Sequence, residues 1–159
     1  IASVINRLTS AGIAVVIAAG NSGMDGYISY PACIRNAIAV GSSNKNDGLS
    51  RFSNHSTLID LVAPGERITA GVPTRSIKTM SGTSMAAPHV AGAFALLRSY
   101  DPNASVASLW TALTCTGEPI VRGKELIVSC FDMVTGPDKT NTGHDKPYTI
   151  AVIPMNNQN

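Results

Sequence analysis

Charge is scarce in this chain. Only 14% of its 159 residues are Asp, Glu, Lys or Arg, and the net charge is +2. So little charge argues against intrinsic disorder. The scattered basic residues form no patch of the kind that binds nucleic acid, so no nucleic acid is expected as a partner. Long hydrophobic runs are also missing, and no stretch approaches the roughly 20 apolar residues of a membrane span. The three cysteines, Cys33, Cys115 and Cys130, lack metal-ligand spacing, so no metal site is expected. Two arrangements remain open for them: a Cys115–Cys130 bridge with Cys33 pairing outside the chain, which suits an oxidising compartment, or three buried thiols. There are no internal repeats, no initiating Met and no signal-peptide pattern. The first residues, with Ile1, Val4, Ile5 and Leu8 on one face and Gly12 after them, instead predict the back half of an amphipathic helix. An N-terminal part is therefore expected to be missing.

What is present, 44% apolar residues, suffices for one packed domain. Residues 13–19 are apolar without alternation, which predicts a central parallel strand buried on both faces of an α/β sheet. That strand stops at Gly20-Asn21-Ser22-Gly23. Open parallel sheets bind ligands beyond the carboxyl ends of their strands, so Asn21 is a candidate functional residue, with an ordinary turn asparagine as the alternative. Tyr30-Pro31 is a candidate cis bond. Further strands are expected within 36–42, 58–63, 66–75 and 76–80, and Pro64-Gly65 marks a turn. A helix from near Ser84 to about Tyr100 should end at Asp101-Pro102, with Pro88 in its first turns. A second helix, capped by Ser105 and running through Leu113, should end near Gly117. A last short strand is expected within 124–129. Residues 135–159 turn polar around one apolar island at 148–153 and read as a linker or tail.

The densest stretch is Ser81-Gly82-Thr83-Ser84-Met85-Ala86-Ala87-Pro88-His89-Val90-Ala91-Gly92. A serine at a helix mouth can cap orphan N–H groups. It can also be a nucleophile, because free N–H groups and the positive helix end stabilise an anion formed beside them. Small residues after Ser84 would let another polypeptide approach it, and Gly92 would let a second element pack on the helix. A nucleophilic serine needs a base. His89, five residues along the same helix, points away from Ser84 and is expected to be packed among Ala and Val. His55 reads as a surface residue. A Ser84–Asp132–His144 order would suit an α/β-hydrolase, but the polar segment before Gly82-Thr83-Ser84 is a poor strand for that fold's nucleophile turn.

The run from Gly82 to Gly92 resembles the serine-nucleophile signature of the subtilisin-like serine proteases. Ala18-Ala19-Gly20-Asn21-Ser22-Gly23, Tyr30-Pro31-Ala32, Arg51-Phe52-Ser53-Asn54 and Leu61-Val62-Ala63-Pro64-Gly65 agree in family order. The resemblance covers residues 1–134 and implies a three-layer α/β/α parallel-sheet fold lacking its N-terminal portion, with 135–159 outside it. It implies a secreted serine endopeptidase acting on protein or peptide substrates. Ser84 would be the nucleophile, and Asn21 with the Ser84 N–H would form the oxyanion hole. Ala18, Ala19, Gly20, Tyr30, Pro31, Ala32 and Thr83 would line the substrate pocket. No cofactor is needed for this chemistry, although the family allows structural calcium in the full protein. In the family the aspartate and histidine precede the serine, and neither Asp25 nor Asp47 lies in a matching motif. Both are therefore expected upstream of Ile1, which would leave this chain inactive alone. The alternative is a non-catalytic relative serving as a binding module.

Overall fold

In the computed structural model, residues 1–73, 75–122, 125–126 and 151–152 are described. Helix α1 (Ala2–Ser10) leads into strand β1 (Val16–Ala18), followed by β2 (Ile38–Ser43) and β3 (Leu61–Pro64). These three strands are parallel, with Val16 opposite Ile38 and Val40 opposite Leu61. The hairpin of β4 (Ile68–Val72) and β5 (Ser76–Met80) stands apart as its own two-stranded sheet. Helices α2 (Thr83–Tyr100) and α3 (Val106–Thr116) come next, then the short strands β6 (Glu118–Pro119), β7 (Val121–Arg122), β8 (Glu125–Leu126) and β9 (Ala151–Val152). The main sheet has the order β1-β2-β3-β9-β6, with β9 parallel to β3 and β6 antiparallel to β9.

Strand side chains alternate between two buried faces. Ile38, Val40, Leu61 and Ala63 meet Ala86, Val90 and Phe94 of α2 and Val106, Leu109 and Trp110 of α3. On the opposite face, Ala39 and Val62 pack with Ala19, Ile28, Ala32, Ile59 and Ile120. Burial on both sides is why residues 37–40 and 61–63 are apolar without alternation. Ser105 caps α3 by accepting a hydrogen bond from the Ser108 N–H.

Three expectations are corrected. β1 is the edge strand of the described sheet and is half-buried rather than central, since β2 is its one strand neighbour among the described residues. The helix expected over the first residues does form as α1, with Ile5 buried while Ile1 and Val4 stay exposed. Gly92 admits no second element, because a Cβ there would meet nothing within 4 Å. Cys33 is an exposed free thiol and Cys115 is disulfide-bonded, so the arrangement of three buried thiols does not hold. Cys130, the far half of the expected bridge, lies outside the described residues, as do 124 and 127–129 of the last expected strand.

Candidate active site

Two carboxyl-end features of the sheet meet here. One is the turn after β1, and the other is the start of α2, reached from β3 through Gly65 and the β4–β5 hairpin. The Gly82 N–H donates to the Gly65 carbonyl at 2.8 Å. A Cβ on Gly65 would lie 2.7 Å from the Gly82 carbonyl oxygen and would also collide with Ser42 Oγ, so only glycine permits this approach.

The start of α2 is not capped by a serine. Gly82 holds the N-cap position without a side-chain bond. Ser81 Oγ instead accepts from the Arg67 N–H at 2.9 Å. The orphan N–H of Thr83 is satisfied from the other feature: it donates to Asn21 Oδ1 at 2.8 Å. Thr83 Oγ1 donates to the same oxygen at 2.9 Å and accepts from the Gly20 N–H at 3.2 Å. A backbone N–H can only donate, so the Asn21 atom facing Thr83 must be its oxygen, which turns the amide nitrogen away. Among the described residues neither Asn21 Nδ2 nor the Ser84 N–H donates a hydrogen bond. Asn21 and Ser84 are both exposed, whereas Thr83 is fully buried. The result is two free donors at the positive end of an 18-residue helix, beside an exposed hydroxyl.

The turn carrying Asn21 is held by Asn54, which is fully buried. Asn54 Oδ1 accepts from the Ser22 N–H at 2.9 Å and the Met24 N–H at 3.1 Å. Its Nδ2 donates to the Ala19 carbonyl and to Ser29 Oγ, both at 3.3 Å. The Asn54 N–H donates to the Gly20 carbonyl at 3.0 Å. Nothing local in Phe52-Ser53-Asn54-His55 marks this role, since the partners lie 25 to 35 residues away.

The expected pocket segments are adjacent. The Ser29 N–H donates to the Ala19 carbonyl at 2.8 Å, and Ala19 packs in one cluster with Ala32. Tyr30-Pro31 is cis, with Tyr30 exposed and Pro31 half-buried. Ala18 and Gly20 are half-buried. Ala19 and Ala32 are fully buried, so they can offer a ligand backbone rather than side chain. Ser84 itself lines an open depression of about 410 Å³, together with Ile68, Ala70 and Met80 of the hairpin and Met85, Pro88 and His89 of α2.

Both described histidines depart from expectation. His89 is exposed rather than packed, and its Nδ1 lies 2.8 Å from the Met85 carbonyl. A carbonyl only accepts, so Nδ1 carries the proton and is committed to the helix backbone. His55 is not a surface residue: it is 14% exposed, with Nε2 2.9 Å from Asp25 Oδ1. Ser84 makes no side-chain hydrogen bond among the described residues, to either histidine or to anything else. Asp132 and His144 lie outside the described residues. Among the described residues no three His, Cys, Asp or Glu side chains group to hold a metal ion, and no helix is long and apolar enough to cross a membrane.

A parallel sheet backed by α2, with Ser84 exposed at the helix mouth and Asn21 bonded to the neighbouring Thr83, fits a subtilisin-like α/β fold. The subtilase family model matches residues 1–145, and the chain belongs to that family. It is 39% identical to the major intracellular serine protease of Bacillus subtilis, over 89% of this chain and 47% of that protein. It is 46% identical to subtilisin Savinase of Lederbergia lenta, over 62% of this chain and 36% of that protein. A solved cold-adapted subtilisin-like serine proteinase superposes with a TM-score of 0.69 at 34% identity, over 74% of this chain and 44% of that one. The chain thus spans less than half the length of these relatives. The α/β-hydrolase order drops out, because the fold is the subtilisin-like one.

Proposed function

We propose that this chain carries the nucleophile and oxyanion hole of a serine endopeptidase whose histidine and aspartate lie N-terminal to Ile1. Ser84 Oγ attacks the scissile carbonyl as that histidine takes its proton; the C–N bond then breaks as the histidine gives the proton to the departing amine, leaving an acyl-enzyme that water hydrolyses. Asn21 Nδ2 and the Ser84 N–H hold the oxyanion of each tetrahedral intermediate. The observation that carries this reading is the pair of hydrogen bonds from the Thr83 N–H and hydroxyl to Asn21 Oδ1, which leaves the amide nitrogen free to donate. The relatives, named as serine proteases and subtilisins, support the same chemistry. Ala18 to Gly20 and Tyr30 to Ala32 form the wall for the substrate residue before the scissile bond. Residues 1–134 are assigned to the catalytic domain, and of the expected tail at 135–159 the strand Ala151–Val152 joins the main sheet between β3 and β6. The disulfide at Cys115 favours an oxidising, extracellular setting.

The test is labelling by a fluorophosphonate at neutral pH. The full protein should react at Ser84 and lose the reaction in Ser84→Ala, while residues 1–159 alone should stay unlabelled. A full protein that is folded yet unreactive would instead make the chain a non-catalytic binding module.

A further inference from the structure

The geometry points to Asn54 as a positioning residue that sets the oxyanion-hole donor; this rests on the role proposed for Asn21. All hydrogen-bonding capacity of the Asn54 side chain that is in use goes to the segment bearing Asn21 and to Ser29 beside it. Oδ1 binds the N–H groups of Ser22 and Met24, and Nδ2 binds the carbonyl of Ala19. The backbone N–H of Asn54 holds the Gly20 carbonyl, and the neighbouring Phe52 carbonyl accepts from Gly23. The chain is thereby tied at 19, 20, 22, 23 and 24, leaving Asn21 as the residue the clamp spans. Asn21 itself is fixed from the other side by Thr83.

The clamp is also tight. Gly20 has φ +107, and a Cβ on it would collide with Ser29 Oγ and Asn54 Nδ2. An oxyanion donor is effective only if its position is set before charge develops, because the site then pays no reorganisation at the moment of reaction. A turn free to shift by about 1 Å loses on the order of 100-fold in rate without losing substrate binding. Asn54 does not touch the reacting atoms; it acts through Asn21.

The experiment is a double-mutant cycle in the full protein. Asn54→Ala should lower kcat about 10- to 100-fold, with KM changed less than about threefold. In the Asn21→Ala background the same substitution should lower kcat by less than about threefold, because the donor it positions is gone. A general loss of packing would move kcat equally in both backgrounds, and that result would overturn the proposal. Unchanged kcat in folded Asn54→Ala would overturn it as well. If Asn54→Ala does not fold, Asn54→Asp keeps the two acceptor bonds and loses the two donor bonds. It should show the same non-additivity. Failure of both variants to fold, read by circular dichroism, would assign Asn54 to the fold as a whole and remove the narrower role. Ser84→Ala separates the two levels: if it retains full activity the endopeptidase reading fails, whatever Asn54 does.

Discussion

Thr83 is the residue on which the candidate site turns. Its N–H and hydroxyl both face Asn21 Oδ1, and its hydroxyl also receives the Gly20 N–H. Thr83→Val keeps the shape but leaves the Gly20 N–H without its acceptor. It should cost about 1–3 kcal/mol of stability, measured by denaturant unfolding, and lower kcat about 5- to 10-fold as Asn21 loosens. Asn21→Ala removes the donor itself. It should lower kcat about 100- to 1000-fold with KM nearly constant, the loss known for subtilisin and adopted from it directly. A comparable rise in KM would mean that Asn21 binds substrate instead. Of these residues, Ser84 and Asn21 stood out in the chain as candidates because each sits in a run of small residues at an element end, and their roles were proposed from the resemblance of those runs to the subtilase signatures. Asn54 was not legible, since its partners come together only when the turn after β1 meets the loop before β3.

At the scale of elements, the period of the apolar pattern located most of the fold. β5 and α2 fall where expected. α3 starts after its Ser105 cap as expected and runs to Thr116, with Gly117 just beyond. What the pattern missed were relations between elements. The serine-rich mouth of α2 reads locally as a cap, yet Ser81 turns to Arg67 and Gly82 takes the cap position. The contact between the end of β3 and the start of α2 depends on Gly65 having no side chain. Gly65→Ala should therefore push the helix start away. We expect it to destabilise by about 1–3 kcal/mol in denaturant unfolding and to lower the fluorophosphonate labelling rate at Ser84 in the full protein. An unchanged labelling rate would separate this contact from the site.

At the scale of the whole molecule, the β1 flank of the described sheet is only half-buried, and Ile1, Val4, Ile13, Leu96 and Tyr100 are all more than half exposed. An uncovered strand edge next to exposed apolar side chains favours association. Residues 1–159 expressed alone should scatter light as a species heavier than the 16.5 kDa chain. Val16→Lys, on the edge strand, should reduce that mass, and a stable monomer would contradict the expectation. By itself the sequence determined the α/β class, the helices and the approximate places of the first five strands, because periodicity and caps are local, and it made Ser84 and Asn21 candidates through the resemblance of their segments to the subtilase signatures. Only the tertiary structure decided that Asn21 presents its nitrogen, that Thr83 and Asn54 hold it, that His89 faces outward and that His55 pairs with Asp25. Each of those rests on hydrogen bonds or burial set by segments distant along the chain, and local pattern carries no information about which distant donor meets which acceptor.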